Sequence, residues 1–220
     1  MVGDIAHICN RGFDKKPIFT SMPEYHRFVE NLYRLNNQNG ALRFQGRNIL
    51  TSEHEKHREP IVDILKWSLL PNHYHLLLHE RIEGGITEFV KRLGNGYTKY
   101  FNTKHQRSGY LFQNSAKIIL IKRDAQFLYI PFYIELNPLD IHKYPWRDLS
   151  KKTTNYSRVI AFLEKYPWSS YQDYVGKPNF PKIINQPLFF SLFETNPMEY
   201  KKEVQKYLLN TELPPVNLAG

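Results

Sequence analysis

The sequence predicts an α+β fold in which helices pack on one antiparallel sheet. Apolar segments recur in the order strand, helix, strand, strand, helix, strand, helix. The two central apolar runs are separated only by Pro71-Asn72, which reads as a tight connection between antiparallel strands or as a bulge in one. No segment repeats at a fixed spacing, and 41% hydrophobic content over 220 residues suits one sizeable core.

Each element has its own signal. Ile5 to Cys9 alternates as a first strand, closed by the turn-like Asn10 to Gly12 and the charged loop Asp14 to Pro17. Ser21 and Pro23 open a helix in which Phe28, Leu32 and Leu35 recur at helical spacing through about Gln38. Gly40 to Pro60 is polar and charged, carries His54 and His57, and reads as an insertion. Ile61 to Leu70 and Asn72 to Leu78 are the central strands. Gly84-Gly85 precedes a second helix, Ile86 to about Asn102, with Phe89, Leu93, Tyr97, Tyr100 and Phe101 as its apolar stripe and Gly94 and Gly96 weakening its middle. A loop from Lys104 to Gly109 leads to a strand over Ala116 to Ile121. Asp124 then caps a third helix, which Pro138 ends. The pattern fits a ferredoxin-like arrangement. Residues 1–140 form the main domain, with the insertion at about 40–60. Residues 141–220 are an extension of helix and loop packed on or flanking it, including Tyr166-Pro-Trp-Ser-Ser-Tyr171, a helix from Pro197 to Leu209 and a loose Pro214-Pro215 end.

The charge balance is 30 Lys+Arg against 21 Asp+Glu, a net +9, which favours a polyanionic partner such as nucleic acid. Aromatics at 15% supply rings on which unpaired bases can stack, although most rings belong to the core. The single Cys9 excludes an internal disulfide framework and a multi-cysteine zinc site. The amino-terminal stretch lacks the basic start and apolar core of a signal peptide, and no run is long enough to span a bilayer, so a cytoplasmic protein without membrane contact is expected.

Two clusters carry chemistry. His73 and His75 stand two apart in the apolar run Trp67 to Leu78, so an extended chain turns both imidazoles to one face, where they can share a metal ion. Tyr133 and Asn137 stand four apart and share one face of the third helix. Two neutral imidazoles and one amide oxygen suit a divalent ion such as Mg²⁺ or Mn²⁺, with zinc less suited to an amide ligand. A tyrosine beside such an ion can attack phosphorus and form a phosphotyrosine. Each residue also has a plain alternative: a hydrogen-bonded core histidine, a core tyrosine, a helix-terminal asparagine. Tyr97 and Tyr100 are rival nucleophiles with packing as their simpler role. Glu135 lies about 200° round the helix from Tyr133 and receives no chemistry.

These residues sit in blocks that resemble the single-tyrosine HUH transposases, particularly the REP-associated tyrosine transposases. The blocks are Asn10 to Gly12 with Pro17 to Phe19, Leu70 to Leu78, Gly96 to Asn102 with Ser108 to Gln113, Tyr133 to Pro138, and Tyr166 to Tyr171, five in the expected order. The resemblance implies that His73 and His75 bind the metal, that Asn137 is its third ligand, and that Tyr133 becomes linked to the 5′ phosphate of cut single-stranded DNA. It also implies imperfect DNA hairpins as substrates. Arg11, Lys15, Lys16, Lys91, Arg92, Lys99, Lys104, Arg107 and Lys117 are candidate DNA contacts, Arg11 and Arg107 foremost because they lie in loops near these blocks.

The chain departs from the family pattern at Pro131, where a helix start or kink would re-aim Tyr133. It departs again at Asn114 to Lys117, which lacks a Gly-Arg-Phe-Lys. The expected activity is nicking and joining of single-stranded DNA by a monomer or homodimer. The alternatives are a non-catalytic hairpin-binding protein of the same fold and, less compatible with the chain's size, an HUH replication initiator.

Overall fold

The computed structural model of the protein describes residues 1–40, 58–122, 124–144, 146 and 156–209. Most of the polar insertion, with His54 and His57, and the Pro214-Pro215 end lie outside the described residues. From the amino terminus the elements run β1 (Ile5–Arg11), α1 (Met22–Arg34), β2 (Val62–Leu70), β3 (His73–Glu80), α2 (Gly85–Lys104), β4 (Lys117–Leu120). The strands lie in the order β2-β3-β1-β4 with every neighbouring pair antiparallel, so the fold is α+β with ferredoxin-like topology and β3 is a central strand.

Alternation gives the sheet two chemically different faces. Ala6 and Ile8 of β1, with Trp67, Leu69, Tyr74, Leu76 and Leu78, turn to a core closed by Phe28 and Leu32 of α1 and Phe89, Leu93 and Tyr97 of α2. Burying each such large apolar side chain contributes about 1.5–3 kcal/mol, which holds both helices on that face. The opposite face carries Leu65 and Leu77, and it is covered by α3 (Asp124–Leu136) and by helices of the extension: α4 (Tyr156–Leu163), α5 (Tyr171–Tyr174), α6 (Gln186–Leu192) and α7 (Pro197–Leu208). Because α3 is apolar around most of its circumference, packing against both the sheet and the extension stabilises it.

The connection Pro71-Asn72 is a tight turn, and the irregularity in β2 falls instead between Ile64 and Lys66. The Pro71 carbonyl accepts from the Ile18 and Phe19 amides at 2.8 and 3.0 Å, which brings the loop after β1 against this turn. A Cβ on Gly12 would meet the Lys16 carbonyl oxygen at 2.2 Å, so this loop requires glycine. The extension covers the outer edge of β2: Leu69 N–H donates to the Trp168 carbonyl at 2.8 Å and Ser170 N–H to the Trp67 carbonyl at 3.0 Å. The Tyr166 to Tyr171 block thus protects a sheet edge that would otherwise be open.

One helix boundary differs from the sequence reading. α1 ends at Arg34 rather than near Gln38, because Asn36 leaves the helix to bond β2, donating to the Val62 carbonyl and accepting from the Ile61 and Val62 amides. The third helix ends beside Asn137-Pro138, as the sequence reading has it. The α-helix stops at Leu136 and a 3-10 helix runs on from Asn137 to His142, a geometry that tolerates proline in its first turn. Among the described residues no helix is long and apolar enough to cross a membrane.

Candidate active site

The imidazoles and the tyrosine meet on the sheet face covered by α3. His73 opens β3 directly after the turn and His75 follows two residues on, their ring centroids 5.1 Å apart and nearly perpendicular. The helix continues through Pro131 and carries Tyr133 over this face. The Tyr133 ring stands edge-on to His75 at 5.4 Å and to His7 at 5.8 Å. Tyr133 and His73 are half-buried, whereas His75 and His7 are buried.

His7 is a third imidazole that sequence reasoning missed. β1 pairs with β3 so that Cys9 faces His75 and Arg11 faces His73, and His7 follows on the same side of the sheet. Nε2 of His7 lies 2.9 Å from Nδ1 of His75, with the rings stacked at 5.1 Å. Burial pushes the His7 imidazole down to about 4, so it stays neutral near pH 7. The signal was present in the alternation of Ile5 to Cys9, which puts His7 and Cys9 on the face opposite Ala6 and Ile8. What the sequence lacked was the register bringing that face beside His75.

A hydrogen bond at Nδ1 sets the tautomer of His73. The Asn72 amide is oriented by its Nδ2, which donates to the Lys15 carbonyl at 3.0 Å, leaving Oδ1 at 2.6 Å from Nδ1 of His73. An amide oxygen only accepts, so His73 carries its proton on Nδ1 and its basic lone pair on Nε2. The His7–His75 hydrogen bond can form with either ring as donor and so does not fix the His75 tautomer. Asn137 is buried at the end of α3 and its Nδ2 donates to the Tyr133 carbonyl at 2.5 Å, tying the amide to the turn that carries the phenol.

Cationic residues border this face unevenly. Arg11 is the cross-strand partner of His73 and Lys117 that of Cys9, both exposed. Burial pushes the Cys9 thiol up, while Lys117 and Arg11 pull it the other way. Lys15 and Lys16 lie exposed in the loop after β1. Lys91, Arg92, Lys99 and Lys104 belong to α2, on the other side of the sheet. Two of these have partners inside the fold: Arg92 bonds Glu88 and the Asn37 carbonyl, both at 2.7 Å, and Lys104 bonds Glu24 at 2.6 Å. Arg107 donates to the Tyr110 carbonyl at 2.8 Å. Lys91 lines a groove between α2 and the segment from Gly109 to Ala116, whose walls include Asn95, Thr98, Tyr110, Gln113 and Asn114.

Glu135, one residue from Ile134 and two from Tyr133, faces away from the imidazoles. It is buried against Lys66 and accepts from Ser170 Oγ at 2.6 Å and Tyr200 hydroxyl at 2.7 Å. Tyr97 donates its hydroxyl to the Ile18 carbonyl at 2.6 Å in the core of the other face, which accounts for it as a packing residue.

No family model matches the chain, and no curated protein sequence does either. Among solved structures, the chain is similar to a REP-associated tyrosine transposase bound to a REP hairpin, at 13% identity over 81% of this chain and 82% of that one, with a TM-score of 0.44.

Proposed function

We propose that the protein nicks and rejoins hairpin-bearing single-stranded DNA, with Tyr133 as the nucleophile and a divalent ion held by His73, His75 and Asn137. The observation that carries this reading is the 5.4 Å edge-on approach of the Tyr133 ring to His75, on the face that also bears His73. Helix and imidazoles belong to one chain, which supports a site completed within a monomer. A homodimer that adds a second such site is compatible with it.

His73 is suited to an ion. Nδ1 of His73 is engaged by Asn72, so Nε2 is the nitrogen with a lone pair to offer, and a fixed tautomer of this kind is what a metal-binding imidazole needs. Mg²⁺ or Mn²⁺ bound there would neutralise phosphate charge and lower the cost of the negative charge that develops during attack. The protein's own groups do the rest. Arg11 and Lys117 hold the DNA backbone beside the imidazoles, with Lys15 and Lys16 along the adjoining loop. Lys91, Arg92, Lys99, Lys104 and Arg107 would meet only DNA that reaches the other side of the sheet, where the groove beside Tyr110 offers hydrogen-bonding side chains and an exposed ring. The Tyr133 oxygen bonds to phosphorus, its proton passes to water, and the 3′ oxygen leaves as a hydroxyl. The phosphotyrosine conserves the energy of the broken linkage, so a 3′ hydroxyl can reverse the attack without ATP.

The test is incubation with hairpin-bearing single-stranded DNA and Mn²⁺, read on a denaturing gel. The expected result is a covalent protein–DNA band that chelator prevents and Tyr133→Phe abolishes. DNA binding with no such band at any divalent ion would select the non-catalytic hairpin-binding protein instead.

A further inference from the structure

We infer that His7, Cys9 and His75 form a site for a thiophilic divalent ion of the zinc class, distinct from the His73, His75 and Asn137 set. The three residues lie on adjacent antiparallel strands, and their ligand atoms all fall within 4.8 Å of one another. Cys9 and His75 are cross-strand partners, and His7 is two residues from Cys9 on the same strand, so the sheet itself fixes the triangle. Two ligand nitrogens on a tetrahedral ion at about 2.0–2.1 Å stand about 3.3 Å apart. Nε2 of His7 and Nδ1 of His75 are already at 2.9 Å, so a few tenths of an ångström of opening admits an ion in place of the hydrogen bond. A thiolate with two imidazoles selects zinc or cobalt over magnesium, which prefers oxygen ligands. On binding, the Cys9 thiol proton is released to water.

This ion would engage Nδ1 of His75. A neutral imidazole has one basic lone pair, so the ring proton then sits on Nε2, and His75 is lost to the ion assigned under the nicking reading. On that reading, a thiophilic ion and Mg²⁺ or Mn²⁺ exclude each other, and zinc is an inhibitor.

Cobalt titration of the full-length apoprotein tests the site. Cys9 is the only cysteine in the chain, so thiolate-to-cobalt absorption in the near ultraviolet reports on it alone. The expected result is such a band saturating at one equivalent, lost in Cys9→Ser and in Cys9→Ala, the latter guarding against disturbed packing, and retained in His73→Ala. No band in the wild type at saturating Co²⁺, or a band lost equally in His73→Ala, would overturn the inference. The readout needs no nicking activity, so its failure and that of the nuclease reading are separate results.

Discussion

Lys66 of β2 and Glu135 of α3 meet at 3.2 Å, both fully buried, and so lock the tyrosine-bearing helix to the sheet. The Lys66 ammonium also lies 3.1 Å from the ring centre of Tyr174 and 3.8 Å from that of Tyr200, both contributed by the extension. Burial pushes it down to about 7, against the pull of Glu135. One polar cluster therefore joins sheet, tyrosine helix and extension, on the side of α3 turned from the imidazoles.

Breaking that pair should be costly, and removing it whole should not. Lys66→Met leaves Glu135 without its cation and is expected to destabilise the protein by about 3–5 kcal/mol. In Lys66→Met with Glu135→Gln the amide oxygen can accept from Tyr200 while Nε2 donates to Ser170 Oγ, whose own hydrogen turns to the Trp67 carbonyl, and most of that loss should return. Urea denaturation of the two single variants and the double variant measures the cycle, and additive losses would show that the pair is not coupled.

Acid should unfold the protein partly through Glu24. Burial pushes its carboxyl up, but Lys104, the Thr20 backbone N–H and His105 outweigh this and bring it to about 2. Its folded value lies below the ordinary 4.5, so the unfolded chain takes up the proton first as pH falls. The stabilisation is complete above pH 4.5, is lost between 4.5 and 2, and amounts to roughly 3 kcal/mol at neutral pH. Glu24→Gln should lower stability at pH 7 and flatten the pH profile in that window. An unchanged profile would remove Glu24 from the account.

The basic residues should separate by position. Arg11→Ala removes a cation beside His73 and should weaken single-stranded DNA binding, with the salt slope falling by about 0.7. Arg92→Ala should leave that slope unchanged and instead cost about 0.5–1.5 kcal/mol of stability, because its guanidinium bonds the Asn37 carbonyl and Glu88. Binding isotherms at several salt concentrations, with thermal melts of both variants, decide between the two roles.

Much of this architecture was legible before any coordinates. Period-two alternation in Ile5 to Cys9 marked the first strand, and the gap at Pro71-Asn72 marked a turn or a bulge, because those signals are local. The pairing of His73 with His75 was local too. His7 was not, since its contact with His75 spans 68 residues and depends on strand register. Lys66 stands amid Ile64, Leu65, Trp67 and Leu69, a local sign of a buried anion, but its partner Glu135 lies on a distant helix. The side of α3 on which Glu135 lies was legible from its helical angle alone. The end of α1 escaped reading because Asn36 bonds a distant strand, whereas the end of α3 beside Pro138 was a local signal.

The most direct measurement is the site of DNA attachment. Protease digestion and tandem mass spectrometry of the covalent product should place the nucleotide on the peptide containing Tyr133, and on no other tyrosine. A nucleotide found on Tyr97 or Tyr100 instead would contradict the account, because those rings lie on α2, across the sheet from His73 and His75.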